Sequence, residues 1–446
     1  MNGDSRFLYL PLETRARELD ARLYFALTAV QANFQVILGP RWLLHENRDR
    51  LPRGIFTFKT VNLMDAQGMA KARDLGHTTA AWDEEGPGQI IPDIYLMSVD
   101  DTAMDLAEKV FAWGDHQVNA LHRKYPKAKN KVEATGNPRW DVLRASHAGY
   151  YAAEADALRA RFGKFILLNT NFSTANSCFK DGLAGILRLG EATGAFKTDA
   201  DRRLLQDIHD FEKTRFDSYF AALPGLSAAF PDHVIVVRPH PTEYHKPWAE
   251  IAAALPNVRM IHEGTVQPWI LAADTVIQSS CTTGVEALTL GKSVVSYCNP
   301  ALPEDEAHLA NAVCLRVHSE AMLVETLQRF IGDRATFEPH RVQGLKVLAR
   351  HISRLSGETS SAAILKALGF LANKREKQGA RFDRVFQVPG GLKPITMEPY
   401  QALKLPPVSL AEIGEMAGRW AHIEPRLAQT RITHIGESAF FLRRPS

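Results

Sequence analysis

The sequence predicts an α/β protein with two open sheets of mostly parallel strands. The chain has 446 residues, of which 45% are hydrophobic, which is enough for more than one core. Short apolar runs alternate with amphipathic stretches from the first residues onward, as they do where strands are joined by helices. This alternation stops between residues 137 and 163, where the chain is charged and rich in alanine, and then restarts. We therefore expect two α/β domains joined near residue 150.

The first half of the chain contains six predicted strands, the fourth of which runs into a loop. Between the first two, residues 13–33 predict a helix because apolar residues recur at helical spacing. These residues are Leu19, Leu23, Ala26, Leu27 and Val30. The predicted strands are residues 7–12, 34–39, 54–59, 77–86, 109–114 and 131–136.

The second half repeats this pattern and is followed by a loop-rich segment with several prolines. Its predicted strands are residues 165–172, 233–241, 258–263, 275–280 and 293–298. Its predicted helices are residues 201–222, 267–272, 284–290, 319–331 and 339–370. We assign residues 1–150 and 151–370 to two Rossmann-like domains and residues 371–446 to a C-terminal extension. Open sheets of this type bind ligands at the carboxyl ends of their strands, so we expect the two domains to face each other across a cleft.

Charge and composition exclude several classes of protein. The 53 basic residues nearly balance the 50 acidic ones, so the net charge of +3 does not indicate a nucleic-acid partner. The sequence contains neither a dinucleotide-binding G-x-G-x-x-G motif nor a P-loop. Its four cysteines have no C-x-x-C spacing and are typical of reduced thiols in a cytosolic protein. We therefore expect neither a cofactor nor a bound metal.

The sequence predicts a cytoplasmic protein whose only membrane contact is peripheral. No uncharged run approaches the ~20 residues of a membrane helix, and the N-terminus has no signal-peptide pattern. Basic residues cluster late in the chain, at Lys374, Arg375, Lys377, Arg381, Arg384, Arg443 and Arg444. A solvated surface is the simpler interpretation of this cluster. A patch that rests on anionic lipid at the inner face of the membrane, or that holds an anionic acceptor, is the alternative.

Three consecutive acidic residues follow the fourth predicted strand. Asp83, Glu84 and Glu85 precede Gly86, which lets the backbone turn sharply. Adjacent carboxylates repel one another and so disfavour full ionisation, which suits a proton acceptor. A solvated acidic turn explains the same residues. The motif is not D-x-D, so the sequence gives no sign of a metal-dependent nucleotide-sugar site.

A histidine between two prolines lies at the end of the predicted strand at 233–241, after its apolar run "VIVV". Pro239 and Pro241 stiffen the loop around His240, which can donate a hydrogen bond to a phosphate oxygen. Arg238 can bind a phosphate or a carboxylate with two parallel hydrogen bonds. A turn with a partly exposed histidine is the alternative interpretation.

A loop rich in hydroxyl groups joins the predicted strand at 275–280 to the next helix. Free backbone N–H groups and the helix dipole make such a position an anion site, although Ser and Thr are also ordinary helix caps. Glu286, in the first turn, can reach a ribose hydroxyl pair, and Asn171 ends the first strand of the second domain. The candidate donor-binding residues of the loop are Ser279, Ser280, Thr282, Thr283, Gly284 and Glu286.

Together these motifs resemble those of bacterial sialyltransferases and related CMP-sugar transferases, including capsule Kdo transferases. The shared motifs appear in the expected order as Glu84-Glu85-Gly86, His240-Pro241 and Ser279-Ser280. The chain more closely resembles surface carbohydrate biosynthesis proteins over most of residues 7–300. The segments that carry this second resemblance are "LPLETRARELDARL", "WDEEG", "TGNPRWDVL", "LLNTNFS" and "RPHP".

The resemblance implies the GT-B fold, in which two Rossmann-like domains face an interdomain cleft, and a metal-independent glycosyltransferase activity. A CMP-activated acidic sugar (ulosonic or nonulosonic, such as Kdo or sialic acid) would be the donor co-substrate. The acceptor would be a glycan, a lipid-linked glycan or a protein.

The resemblance also assigns roles to residues. Glu85 would be the catalytic base in the N-terminal, acceptor-binding domain, with Asp83 and Glu84 as neighbours. His240 would contact the CMP phosphate, and Ser279 and Ser280 would bind it. The extra acidic residue leaves the choice of base open, and the sequence does not decide between inversion and retention.

Two other classes of function stay open at this point. A UDP-sugar 2-epimerase or a CDP-polyol phosphotransferase can share this fold, as can a non-catalytic scaffold for polysaccharide assembly. An acid, a histidine and a hydroxyl loop at three predicted strand ends argue against the scaffold.

Overall fold

The structure of the protein is a computed structural model that describes residues 6–84, 88, 90–179, 181–193, 196, 198–373 and 391–445. Strands and helices alternate along most of this length. The strands are β1 (Arg6–Leu12), β2 (Phe34–Pro40), β3 (Ile55–Phe58), β4 (Thr78–Trp82), β5 (Lys109–Ala112), β6 (Val132–Ala134), β7 (Phe165–Asn169), β8 (Val234–Arg238), β9 (Val258–Met260), β10 (Thr275–Gln278), β11 (Val294–Tyr297), β12 (Leu315–Val317), β13 (Arg431–Gly436) and β14 (Ala439–Arg443).

Helices follow most of the strands. They are α1 (Arg15–Gln31), α2 (Arg41–Glu46), α3 (Leu63–Asp74), α4 (Pro92–Met97), α5 (Asp101–Leu106), α6 (Asp115–Lys124), α7 (Pro138–Asp141), α8 (Ala152–Phe162), α9 (Gly182–Thr193), α10 (Asp199–Ala229), α11 (Lys246–Ala254), α12 (Val266–Ala272), α13 (Thr282–Thr289), α14 (Leu309–Val313), α15 (Glu320–Gly332), α16 (Glu338–Leu348), α17 (Ser360–Asn373), α18 (Pro399–Lys404) and α19 (Leu410–Ile423). None of these described helices has the length and apolarity that crossing a bilayer requires.

The described residues group into two compact units. The first unit contains those of Met1–Pro87, Ile91–Tyr150 and Ala349–Ser446, and the second contains those of Gly88–Ile90 and Tyr151–Leu348. Each unit has its own open sheet, so the predicted α/β class and the restart of the strand-helix pattern are confirmed.

The sheet of the first unit has eight strands in the order β13-β14-β2-β1-β3-β4-β5-β6. The first six strands of the chain, β1 to β6, all pair in parallel. Every residue of β3 and β4 is buried, which is expected of parallel strands that are covered on both faces. This explains why these strands appear in the sequence as continuous apolar runs.

The C-terminal segment is more ordered than the loop-rich extension that the sequence predicted. It forms α19 and the antiparallel hairpin β13-β14, and β14 pairs antiparallel with β2. Phe440 and Leu442 are fully buried there, opposite Leu38 and Val36. The apolar run at 439–442 is thus a strand of the first sheet, because burying it covers the outer edge of β2.

Residues 349–370, which the sequence grouped with the second domain, lie in the first unit. The physical reason is a helix cap supplied by Asp141. Its Oδ1 accepts a hydrogen bond from the backbone N–H of Ser360 (2.8 Å), and its Oδ2 accepts one from that of Ser361 (2.7 Å). A buried carboxylate therefore holds the N-terminus of α17, where the helix dipole favours negative charge.

The sheet of the second unit has six parallel strands in the order β12-β11-β10-β7-β8-β9. Strand β7 lies between β8 and β10, and all three are almost entirely buried. Because parallel strands end at the same edge, the loops that follow these three strands are neighbours.

Candidate functional site

Three loops of the second unit meet at the carboxyl edge of its sheet. The side chain of Asn171, after β7, donates from Nδ2 to the backbone oxygen of Ser280, after β10 (3.2 Å). The backbone N–H of Thr170 donates to the carbonyl of Arg238, the last residue of β8 (3.3 Å). The structure thus brings the predicted histidine, asparagine and serine motifs to one place.

His240 lies half-buried in a tight turn that fixes the orientation of its ring. The backbone N–H of Glu243 donates to the carbonyl of His240 (2.9 Å), and Pro241 occupies the second position of this turn. The ring Nδ1 lies 2.7 Å from Thr242 Oγ1 and 3.3 Å from the backbone N of Thr242. Since a backbone N–H only donates, Nδ1 accepts. The proton of the neutral ring then lies on Nε2, which is the tautomer that donates to an anion.

Ser280 adopts a left-handed backbone conformation, with φ at 55°. Such a conformation costs on the order of 1–3 kcal/mol in a residue other than glycine. Asn311 stabilises it, because its Oδ1 accepts from the Ser280 N–H (2.9 Å) and its Nδ2 donates to Ser280 Oγ (3.1 Å). Backbone strain held in place by a side chain is typical of functional loops.

The N-terminus of α13 follows directly. The side chain of Cys281 does not cap this helix, and the dipole at its N-terminus favours an anion. Thr282 and Thr283 are partly exposed beside it. Gly284 is required for packing, because a Cβ there would lie 2.6 Å from Cδ of Gln278. Ser279, one residue before the strained turn, is buried.

Arg238 and Glu286 are buried, and their side chains bind neighbouring protein groups. The guanidinium of Arg238 donates to the carbonyls of Glu263 (2.6 Å) and Gly264 (2.5 Å), and burial lowers its pKa to about 10. The Oε2 of Glu286 accepts from Gln267 Nε2 (2.9 Å). These contacts fix the loop after β9 and the position of α12.

The sequence analysis missed Glu243, which is 2% exposed and lies beneath the histidine turn. Its carboxylate accepts five hydrogen bonds, from donors on the loop after β7, on the histidine turn and on α11. A signal was available, because an acid three residues after His240 is placed to accept the backbone N–H of that histidine.

The acidic motif lies in the first unit, at the end of β4. Glu84 forms an ion pair with Arg22 (2.6 Å), and both side chains are 5% exposed. Asp83 Oδ2 accepts from Gln117 Nε2 (2.9 Å). Glu85, the predicted base, lies outside the described residues.

Further charged residues surround this edge of the first sheet. Glu13 contacts Arg41 (3.2 Å), Lys59 (3.3 Å) and Lys404 (3.3 Å). Burial alone would raise the pKa of Glu13, but the three cations lower it to about 2. Glu13 is therefore a permanent anion and not a candidate base. Among the described residues, no three histidine, cysteine or acidic side chains are grouped as a metal site requires.

No protein-family model matches the chain, and no curated protein matches it either. Solved structures do resemble it. MnaA of S. aureus, solved with UDP, is 13% identical with a TM-score of 0.51, over 84% of this chain and 100% of that one. The UDP-GlcNAc 2-epimerase of Neisseria meningitidis, bound to UDP-GlcNAc, is 13% identical with a TM-score of 0.50, over 82% and 100%.

A weaker likeness, with a TM-score of 0.48 and 10% identity, is to the wall teichoic acid polymerase TagF, over 84% of this chain and 90% of that one. The likeness to the first two structures shows the fold. It is of the GT-B type, as the resemblance in the sequence implied.

Proposed function

We propose that this protein is a glycosyltransferase of surface-glycan synthesis whose second unit binds the phosphate of a nucleotide-activated sugar. The observation that carries the proposal is the meeting of three loops at one sheet edge. The His240 ring, the Ser280 hydroxyl and the N-terminal turn of α13 are three kinds of hydrogen-bond donor. Donors of these kinds stabilise an anionic leaving group without a metal ion.

In the proposed reaction, the acceptor oxygen bonds to the anomeric carbon of the sugar while the bond from that carbon to the donor phosphate breaks. The departing nucleotide keeps the electron pair, and the donors of the second unit stabilise its charge. The acceptor proton passes to a carboxylate, for which the acidic motif at residues 83–85 supplies the candidates. Glu85 stays the predicted base and Asp83 the alternative, because Glu84 is committed to Arg22.

The donor we propose is a CMP-activated acidic sugar. Two features of the sequence support this choice. The acidic, His-Pro and paired-serine motifs follow one another in the expected order, and there is no D-x-D motif. The acceptor we propose is a glycan, lipid-linked glycan or protein at the cytoplasmic face of the membrane. The late basic cluster is the sequence feature behind this choice, and its part at residues 374–384 lies outside the described residues.

A second candidate is a UDP-sugar 2-epimerase. The observation that favours it is the fold shared with an epimerase that binds UDP-GlcNAc and with a second protein solved with UDP. An epimerase would turn over without an acceptor. A CDP-polyol phosphotransferase, the third enzyme of this fold considered above, would release CMP from CDP-glycerol.

Nucleotide binding separates these candidates. We expect CMP at 100 times its Kd to stabilise the protein by about 2.7 kcal/mol. CDP, UDP and ADP at the same concentration should stabilise it less. For a unit of this size the Tm should rise by roughly 5–10 °C. A clear preference for UDP would exclude the CMP donor and favour the epimerase.

The His240→Ala substitution tests the leaving-group contact. We expect kcat for transfer from a CMP-sugar to fall about a hundredfold, as when one stabilising donor is lost. His209→Ala, which removes a partly exposed histidine of α10, is the matched control and should leave kcat unchanged. Turnover of His240→Ala near that of the control would remove His240 from the mechanism.

A further inference from the structure

We propose that Glu243 is a positioning residue of the phosphate site, which holds the histidine turn and the loop after β7 in a single arrangement. The ligand in this inference rests on the proposed function, whereas the role of Glu243 rests on its hydrogen bonds. Glu243 is buried beneath the histidine turn, so it would act on the ligand through His240 and not by direct contact.

One oxygen of the Glu243 carboxylate joins the two loops. Oε1 accepts from Thr170 Oγ1 (2.5 Å) and from the backbone N–H of Phe172 (3.1 Å), both after β7. The same oxygen accepts from the backbone N–H of His240 (3.2 Å). Losing Oε1 would therefore remove hydrogen bonds from both loops at once.

The other oxygen anchors this junction to the core. Oε2 accepts from the indole Nε1 of Trp248 on α11 (3.0 Å) and from Asn176 Nδ2 (3.1 Å). Trp248 is fully buried, so the carboxylate is tied to the core of the second unit.

Glu243 also holds the backbone of His240 from both sides. Its side chain accepts from the N–H of His240, and its own N–H donates to the carbonyl of His240. The two backbone groups that set the orientation of the histidine are thus bound by one residue. Glu243 also closes the turn that contains Thr242, and the contacts of Thr242 with Nδ1 select the Nε2–H tautomer of His240.

The two carboxylate oxygens of Glu243 serve different donors, so substitutions can separate their roles. Five donors converge on the carboxylate, and only an ionised acid is an acceptor at both side-chain oxygens. Glutamine would keep one oxygen as the acceptor for the Oε1 donors. Its NH₂ group would then face the indole N–H of Trp248, and both of these groups can only donate. Alanine would leave all five donors without this partner.

The test compares four proteins: wild type, Glu243→Ala, Glu243→Gln and Trp248→Phe. Trp248→Phe is the matched control, because it removes one Oε2 donor and leaves every bond of Oε1. Two quantities are measured for each, namely the Kd for CMP and UDP by calorimetry and the His240 tautomer by long-range ¹H–¹⁵N NMR of the imidazole. The Tm of each variant reports the structural cost separately.

We expect Glu243→Ala to bind nucleotide about tenfold more weakly and to lose the pure Nε2–H tautomer of wild type. Trp248→Phe should lose Tm but keep both the affinity and the tautomer. Unchanged affinity and tautomer in a folded Glu243→Ala protein would overturn the inference. The same holds if Trp248→Phe changes both as much as Glu243→Ala, because the effect would then be one of general stability.

Glu243→Gln keeps the experiment decisive if the alanine variant does not fold. We expect it to keep the tautomer and an affinity within about threefold of wild type, because its oxygen can serve Oε1. A folded glutamine variant with a tenfold loss and an unchanged tautomer would contradict the inference. Failure of wild type to bind any nucleotide would instead refute the proposed function, since the tautomer measurement needs no ligand.

Discussion

Glu212, on α10, shows how a single half-buried acid can make the stability of this protein depend on pH. Its Oε2 accepts from the backbone N–H groups of Thr174 (2.6 Å) and Ala175 (3.1 Å), in the loop after β7. Burial, with a smaller contribution from the charge of Glu243, raises the pKa of Glu212 from 4.5 to about 7 despite these bonds. The carboxyl group of Glu212 therefore binds its proton more strongly in the folded protein than in the unfolded chain.

The sign of the pH dependence follows directly. Because the folded pKa is the higher one, the contribution of Glu212 to stability is complete below pH 4.5 and is lost as the pH rises to about 7. We expect Glu212→Gln to raise the free energy of unfolding at pH 8 by up to about 3 kcal/mol and to have no effect at pH 4. Urea unfolding at both pH values measures this. An equal effect at both values would show that Glu212 does not titrate in this range.

Arg215 supports the strained serine turn through a chain of contacts. Its guanidinium binds both oxygens of Asp305 at 2.6 Å, and both side chains are nearly inaccessible to solvent. Asn311 Nδ2 donates to the carbonyl of Asp305 (3.4 Å) and to the hydroxyl of Ser280 (3.1 Å). The ion pair therefore contributes to the position of Ser280.

Arg215→Met should destabilise the second unit by about 3–5 kcal/mol, because it leaves the Asp305 charge buried without its partner. The double variant Arg215→Met/Asp305→Leu should recover most of this loss, since it removes the stranded charge. Urea unfolding of the three proteins measures the difference. Equal stability of the single and double variants would show that the cost comes from lost packing.

Sequence patterns locate the site residues but not their contacts. His240-Pro241 and Ser279-Ser280 were predicted at strand ends because the apolar runs before them are local signals. Asn311 was missed because its role depends on a contact with Ser280, 31 positions away in the chain. The side chain of Arg238 was expected to face a ligand, yet two carbonyls bind it, a choice that only the folded loop after β9 determines.

At the scale of elements, α17 depends on its cap. Asp141 is fully buried and accepts from the backbone N–H groups of Ser360 and Ser361 and from the Ser361 hydroxyl (2.7 Å). We expect Asp141→Asn to lower the free energy of unfolding by about 1–3 kcal/mol, because the amide NH₂ would face a backbone N–H group. Asp156→Asn on the surface of α8 is the control and should stay within about 0.5 kcal/mol of wild type. An equal, small effect of the two substitutions would show that the cap is dispensable.

Most of the parallel strands were predictable from the sequence, whereas the antiparallel strands β13 and β14 were not. The core strands are buried on both faces, so a continuous apolar run identifies them. In β13 the residues Arg431, Thr433 and His434 are exposed, as expected at the edge of a sheet. A strand of that kind has no clear signal unless its partner is known.

For the molecule as a whole, the hairpin β13-β14 completes the first sheet. Removing residues 431–446 would expose the edge of β2, where Val36, Ile37 and Leu38 are fully buried. We expect the truncated protein to elute as aggregates in size-exclusion chromatography. Removing residues 444–446 alone leaves the hairpin intact and should give the elution volume of wild type. A monodisperse product of the longer truncation would show that β2 tolerates an open edge.

The position of β14 in the chain also determines the order of events on the ribosome. The first sheet lacks its last strands until residue 443 has been synthesised, although the second unit is fully translated at residue 348. At elongation rates of about 5–20 residues per second, this delay lasts roughly 5–20 s. The second unit can therefore reach its native state before the first unit, which needs the residues up to 443 to complete its sheet.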